Sequence, residues 1–385
     1  MQIALKAMGS PCQFIPAIQI VGTNGKGSIA SFLKSTLKVL KINTGITTSP
    51  HLVSWCERIS TNGELIALDD FREIIIKLKP VIDQYKLTPF EIVIVSALDY
   101  FKRKQVDLLV LEVGLGGRLD ATTAHPYRPI IAIASIGLDH CEYLGDSLEE
   151  IAKEKGSVIQ PKSIVISAEQ HENVKKVLIS IARRQNATLH FVEPLSQEWN
   201  LGLAGDIQKQ NAAVAKRTLE ALRDYGWEIK EQDIRKGLEQ AQWPGRLEEV
   251  TWNNRPLLID SAHNPHAAKQ LSCEREKWKN QEEGIVWILA IQKQKDAPSM
   301  LKYLLKPLDI AWIVPVPNHT SWSQKELLTL CSNFSKQLKS ARNVEEVLSR
   351  ILLDKQWSKS TPVITGSIYL IGDLIKQKVI DLGTK

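Results

Sequence analysis

Short, nearly unbroken runs of branched apolar residues alternate along this chain with longer stretches in which apolar positions recur every three or four residues. The runs at 18–21, 107–113, 130–136 and 164–167 lack the polar alternation of a half-exposed strand, so each is expected to be covered on both faces. After Ser28, residues Ile29, Phe32, Leu33, Leu37 and Leu40 fall on one stripe of a helix. A strand, a glycine-rich turn and a helix therefore open the chain, and repetition of such units predicts a mostly parallel sheet. A second series of buried runs starts late, at 257–259, 285–290, 310–314 and 363–365, separated by charged amphipathic stretches such as 325–338. Between the two series, Trp243-Pro244-Gly245-Arg246 punctuates helix and strand alike. The expected organisation is two α/β domains, 1–244 and a smaller one over 245–385.

Composition narrows the class. Of 385 residues, 43% are hydrophobic and 24% charged, ordinary globular fractions that exclude a disordered or collagen-like chain. The 49 basic and 43 acidic side chains leave a net charge of +6, which suits a small anionic ligand and gives no reason to invoke nucleic acid. The uncharged apolar stretch 129–138 is far short of the roughly 20 residues that span a bilayer, and no signal-type segment opens the chain. No membrane association and a cytoplasmic location are expected. Cys12, Cys56, Cys141, Cys273 and Cys331 are odd in number and contain no C-x-x-C pair, which argues against a disulfide framework or a thiolate zinc site.

The strongest chemical signal is Gly22-Thr23-Asn24-Gly25-Lys26-Gly27-Ser28, placed between an expected strand and an expected helix. Glycines there let successive N–H groups face one anion, the helix N-terminus adds positive charge, and Lys26 supplies a point charge for the β/γ-phosphates. The Ser28 hydroxyl can reach Mg²⁺. This makes the first domain P-loop ATPase-type, although Gly27 is inserted relative to the common G-x-x-x-x-G-K-[ST] pattern. Gly114-Leu115-Gly116-Gly117 is no dinucleotide fingerprint, because the third glycine position is Leu119. Glu112 is more informative. A carboxylate ending an apolar strand lies where open α/β sheets bind ligands, and burying it requires a cation: either a base such as Arg118 or Mg²⁺. Gly137-Leu138-Asp139-His140 ends the next strand run with polar groups, and Ser147-Leu148-Glu149-Glu150 is a capping box that starts a helix. Lys155 falls on that helix's apolar stripe, where its amine either snorkels to solvent or joins Ser28, Glu112 and His140 around a divalent metal.

Together these motifs resemble the folylpolyglutamate synthases and dihydrofolate synthases of the Mur ligase superfamily. The resemblance also rests on Thr48-Ser49-Pro50-His51-Leu52, Thr88-Pro89-Phe90-Glu91, Leu119-Asp120-Ala121-Thr122, Glu154-Lys155, Pro244-Gly245-Arg246, Asp260-Ser261-Ala262-His263-Asn264-Pro265-His266-Ala267 and Thr365-Gly366-Ser367. It implies a Mur-type ATP-binding domain followed by a Rossmann-like second domain. By resemblance, the 22–28 loop with Lys26 holds ATP, Ser28 and Glu112 face one magnesium ion, and His140 faces a second. The lysine matching Lys155 is carbamylated in relatives. Asn211 resembles an adenine contact, and Arg246, Asp260 and His263 resemble groups that reach nucleotide phosphates and ribose. Thr88, Phe90, Asp120 and Ala121 match the region that receives the pterin end of folate.

The implied reaction is ATP-dependent amide formation, in which a carboxylate takes the γ-phosphoryl group and the L-glutamate amine then displaces phosphate. Lys26, Lys155 and His263 are the implied catalytic residues. Dihydropteroate or folate, L-glutamate and ATP are the implied substrates of a monomer, with closure about Pro244 excluding water. Relatives carry an additional helical segment ahead of the loop, so the resemblance implies an upstream start or a more open pterin site. Glu154-Lys155-Gly156-Ser157 replaces the usual Glu-Lys-Ala-Gly, and Thr123 stands where an asparagine is usual. Other readings are a Mur-type ligase for a non-folate carboxylate and a nucleotide hydrolase or switch that makes no amide.

Overall fold

The computed structural model describes residues 1–382 apart from 355, 356, 358 and 359. It divides into two compact units, Met1–Trp243 and Pro244–Lys385. The first is built on an eight-stranded sheet containing β1 (Ala17–Val21), β2 (Thr44–Thr47), β3 (Ile59–Thr61), β4 (Glu64–Leu65), β5 (Leu108–Glu112), β6 (Ile130–Ile133), β7 (Ile164–Ala168) and β8 (Thr188–Val192). Their order is β4-β3-β2-β5-β1-β6-β7-β8. All neighbours from β2 to β8 are parallel, and β3 and β4 add an antiparallel edge.

Because successive side chains point to opposite faces and both faces are covered, β1, β5 and β6 are apolar but for Gln19 and Glu112. Ile18, Ile20, Leu108, Val110, Ile130 and Ala132 belong to the core under helices Lys26–Val39 and Ile207–Ala221, with Glu231–Glu239 packed on the first of these. Ala17, Leu109 and Leu111 point the other way, into the core under helices Leu68–Tyr85 and Pro89–Arg103. Ile131 and Ile133 do the same under Leu148–Gly156 and Glu172–Arg184. At the middle of the sheet β1 leads to β2 on one side, while its neighbour β6 leads to β7 on the other. The crevice between their carboxyl ends is a switch point of the kind at which such sheets bind ligands.

The second unit contains β9 (Glu248–Trp252), β10 (Arg255–Ile259), β11 (Val286–Leu289), β12 (Ile310–Ile313), β13 (Leu338–Ser340), β14 (Val363–Thr365) and β15 (Asp381–Leu382), ordered β13-β12-β11-β14-β10-β9-β15. Its first five strands in that order are parallel, and the β10-β9 and β9-β15 pairs at the other edge are antiparallel. Both units are α/β, as the alternating pattern predicts.

Some elements escaped the pattern. Thr44–Thr47 is a fully buried strand of mixed composition, and Thr188–Val192 is a half-buried edge strand. The stretch 325–338 is not one amphipathic element: it contains a helix ending at Leu330, a short 3-10 turn and the start of β13. The run at 130–136 is a strand only to Ile133, because the chain beyond it turns to meet the glycine loop. Among the described residues no helix is long and apolar enough to cross a membrane.

One buried ion pair ties the second unit together. Arg275 and Asp309 are 2% and 0% exposed, and Asp309 also accepts the Ile285 N–H at 2.8 Å, the Trp287 indole N–H at 3.1 Å and the Lys306 N–H at 2.9 Å. Removing the guanidinium leaves a dry carboxylate without its counter-ion, so Arg275→Ala should destabilise this unit by about 3–5 kcal/mol. Denaturant unfolding of wild type and variant, followed by a probe in the second unit, checks this; a loss below about 1 kcal/mol would refute it.

Candidate active site

The glycine loop follows β1 and opens helix Lys26–Val39, which has Gly25 as its N-cap. Gly25 has φ +93°, and a Cβ there would collide with the Asn211 side chain. A Cβ at Gly27 would lie 2.7 Å from the Trp243 ring. The inserted glycine is therefore required by a close aromatic neighbour. Against β6 the loop is pinned by the Thr23 N–H to the Ser135 carbonyl (2.8 Å), by Thr23 Oγ1 to the Gly137 carbonyl (3.0 Å) and by the Gly137 N–H back to Thr23 Oγ1 (3.1 Å). Lys26 curls over the loop and donates to the carbonyls of Gly22 (3.1 Å) and Thr23 (3.2 Å). Ser28 is buried in the first turn. The Thr23 and Asn24 N–H groups are thus taken by the Ser135 carbonyl, and the amides left facing outward are those of the first turn of helix Lys26–Val39, an end that favours an anion.

Glu112 ends β5 and is 2% exposed, and its Oε2 accepts the Ser49 N–H at 3.0 Å. Arg118 ion-pairs with Glu154 at 3.6 Å, and the Arg118 N–H also donates to Glu154 Oε1 at 3.1 Å. A salt bridge between Arg118 and Glu112 is therefore not the arrangement formed. Snorkelling of Lys155 is overturned as well. It is 4% exposed on helix Leu148–Gly156, whose start is the expected Ser147 and Glu150 capping box. Burial pushes its amine down to about 7, the Lys26 ammonium pushes the same way, and Asp139, Asp120 and Glu154 oppose them. Lys26, Lys155, Asp139 and Asp120 thus share one electrostatic neighbourhood.

His140 has φ +51° and caps the short helix Cys141–Leu144. Its ring nitrogens lie 3.9 Å from Asp139 and 3.9 Å from Glu142. Asp139 is the group that sequence reasoning passed over, although it stood beside His140 in the same motif. Among the described residues no three His, Cys, Asp or Glu side chains converge as a metal cage. The buried Glu112 carboxylate and the Ser28 hydroxyl are hard oxygen donors of the kind Mg²⁺ takes.

Asn211 is buried on helix Ile207–Ala221, against Gly25, and donates to Gln208 Oε1 at 3.0 Å. Thr88 caps helix Pro89–Arg103 in a capping box with Glu91. The Phe90 ring covers Gly114, where a Cβ would meet it at 2.8 Å. Asp120 organises the same loop: Oδ2 accepts the N–H groups of Gly114 (2.9 Å) and Leu115 (3.2 Å), and Oδ1 accepts from Thr122 N–H (2.9 Å) and Oγ1 (2.6 Å). Burial raises the Asp120 pKa against these bonds. Ala121 is buried beneath it. A further polar layer supports this segment. Gln19, wholly buried in β1, donates to the hydroxyls of Thr122 and Thr123 at 2.9 Å each and accepts from buried Arg128. Thr123 in turn donates to the Gly117 carbonyl at 2.7 Å, a bond that secures the loop where the sequence departs from the family pattern. A lone glutamine inside an apolar strand was the signal for this layer.

In the second unit, Asp260 follows β10 and accepts the N–H groups of Leu247 (3.0 Å) and Ala262 (2.8 Å). Burial raises its pKa and Arg246 opposes the rise. His263 Nδ1 lies 2.9 Å from the Ser261 carbonyl. A carbonyl can only accept, so that nitrogen carries the proton. Asn264 Oδ1 accepts the Ala267 N–H at 2.8 Å and caps helix Pro265–Glu274.

Residues 20–218 match the Mur ligase middle domain, and residues 244–377 match the dihydrofolate synthetase C-terminal domain. The probable dihydrofolate synthetase of Schizosaccharomyces pombe is 30% identical over 413 aligned residues, which cover 98% of this chain and 97% of that protein. The Mycobacterium tuberculosis folylpolyglutamate synthase complexed with ADP and AMPPCP has a TM-score of 0.88 and 26% identity, covering 99% of this chain and 94% of that one. Escherichia coli FolC in complex with DHPP and ADP has a TM-score of 0.86 and 26% identity, covering 98% and 92%. The chain belongs to the dihydrofolate synthase and folylpolyglutamate synthase family of Mur-type ligases, and it is an ATP-dependent ligase.

Proposed function

We propose that this chain joins L-glutamate to a folate-class carboxylate, either that of dihydropteroate or the γ-carboxylate of a (tetrahydro)folate, through an acyl phosphate. The observation that carries the reading is Lys155, buried at 4% exposure within electrostatic reach of Lys26 of the glycine loop, where burial and that ammonium bring its amine down to about 7. A lysine of that kind is a poor ion-pair partner and a good nucleophile. Its neutral Nζ can add to the carbon of CO₂, forming an N–C bond and losing a proton, which turns a buried amine into a carbamate anion beside Lys26 and Asp139.

The loop amides of 22–28 and Lys26 would cradle the triphosphate, with Asn211 on the adenine side. Ser28, Glu112, His140 and carbamylated Lys155 would hold two magnesium ions; when bound, these screen the triphosphate and stabilise charge on the transferring oxygens. Against that cradle, the acceptor carboxylate oxygen attacks the γ-phosphorus and ADP leaves. The glutamate amine then attacks the acyl carbon and gives up a proton, and phosphate departs with the bonding pair. Lys26 offsets the repulsion between carboxylate and triphosphate in the first step. From the second unit, Arg246, Asp260 and His263 are proposed for the nucleotide phosphates and ribose, with Asp260 setting the backbone at 247 and 262. Thr88, Phe90, Asp120 and Ala121 border the proposed pterin region, where Asp120 shapes the loop that Phe90 covers.

Release of ADP and phosphate with dihydropteroate or tetrahydrofolate should depend on glutamate and be matched by amide product. A nucleotide release rate that ignores glutamate, with no product from either acceptor, would mark a hydrolase instead. Lys26→Ala should lower turnover by about 10²-fold, the cost of one preorganised electrostatic group, while the melting temperature stays near wild type. Undiminished turnover would remove Lys26 from the mechanism.

A further inference from the structure

Residues 48–58 link β2 to β3, and the proposed chemistry uses this loop only through the Ser49 N–H on Glu112. Its base is closed by the Thr48 N–H to the Arg58 carbonyl at 3.2 Å and by Thr48 Oγ1 to the Glu57 carbonyl at 3.1 Å. On its far side one carboxylate gathers three successive amides. The Glu57 carboxylate accepts the N–H groups of Leu52 (2.7 Å), Val53 (2.9 Å) and Ser54 (2.6 Å). Arg58 Nε donates to His51 Nδ1 at 2.8 Å, and its guanidinium lies 4.7 Å above the Trp55 ring. These bonds are local, so the loop acquires its shape from its own residues before any ligand arrives.

We propose that Glu57 is a positioning residue for the nucleotide site: by drawing three backbone N–H groups onto one carboxylate it holds the Ser49 N–H against Glu112 Oε2 and so fixes the direction that the Glu112 carboxylate faces. The role rests on the reading of Glu112 as a magnesium group. Bonds from N–H to an ionised carboxylate are roughly twice as strong as neutral ones. Without them the three amides turn to water, the 48–58 loop loses its far clasp, and the Ser49 donor is no longer held in place. Buried Glu112 then keeps its charge with one donor fewer to hold its direction. Sequence analysis gave Glu57 no part, because its partners are backbone groups three to five residues away.

The test uses the full chain with Glu57→Gln and Glu57→Ala. Glutamine keeps one acceptor oxygen but presents an NH₂ where an N–H must be received, so it breaks the clasp with little change in volume. Hydrogen exchange of the 48–58 peptide should quicken in both variants, while β1 and the 22–28 loop exchange as in wild type. In calorimetric titrations with a non-hydrolysable ATP analogue, the magnesium concentration for half-maximal binding should rise about 10- to 100-fold, the usual cost of losing a group behind a metal ligand. Binding measured without magnesium should not change. Exchange that quickens while the magnesium requirement stays put overturns the role of Glu57 alone, as does unchanged exchange. Wild-type binding that is indifferent to magnesium overturns the metal reading of Glu112, and this role with it.

Discussion

Lys155→Ala should lower amide formation by at least about 10³-fold, the upper end of what one preorganised electrostatic group contributes, and short-chain carboxylates such as acetate should restore part of it. The expected rescue follows from what the residue is proposed to become. If the working group is a carbamate, alanine leaves a cavity of the right polarity for a small carboxylate to enter. A lysine acting as an ammonium would instead be rescued by amines. Full activity of the variant without added carboxylate would refute the carbamate. The same residue sets a pH dependence. Its folded pKa of about 7 lies below the ordinary 10.5, so between those values the unfolded chain binds more protons. The destabilisation from burying the cation is therefore complete below about pH 7 and is relieved as pH rises toward 10.5. Lys155→Met should accordingly melt higher than wild type on the acid side of pH 7 and lose that advantage in alkali. Carbamate formation has the same sign: a labelled-CO₂ carbamate signal should be strong near pH 8 and fade below about pH 6, as the amine protonates.

Glu112→Gln should also cost about 10³-fold in turnover without lowering the melting temperature. The carboxylate is 2% exposed and ends an apolar strand, so it is retained against a desolvation cost. Glutamine keeps the shape and one oxygen for the Ser49 N–H but has no charge for magnesium. A variant that is inactive yet no less stable than wild type is the mark of a group kept for function. If Glu112→Gln instead unfolded the protein while the residual folded fraction turned over normally, Glu112 would be a structural ion partner and the magnesium site would lie elsewhere. Thermal melts and single-turnover phosphate release on the same samples separate the two outcomes.

How much of this was readable in advance depended on the range of each interaction. The central strands β1, β5, β6 and β7 were legible because two covered faces impose a nearly continuous apolar run. Thr44–Thr47 was not, although it is equally buried, because its neighbours β5 and β3 rather than its own residues make it a strand. The glycine loop was visible from spacing, but the need for Gly27 was not, since Trp243 lies more than two hundred residues away. Lys155 shows the limit most clearly. Its position on an apolar stripe was plain, yet whether its amine reached water depended on helix Leu148–Gly156 packing against Glu172–Arg184 and on the groups around it.

By itself the order of residues determined the α/β class of both units, the strand, loop and helix of the proposed phosphate cradle, and the local clasps, from the Ser147 capping box to the Thr88 cap, because each depends on contacts a few residues apart. Tertiary structure decided which charges meet: it set Arg118 on Glu154 rather than Glu112, buried Lys155 beside Lys26 and Asp139, and placed Gln19 under Thr123. Electrostatic energy depends on distance in space and on the water excluded between groups, and neither is encoded by separation along the chain.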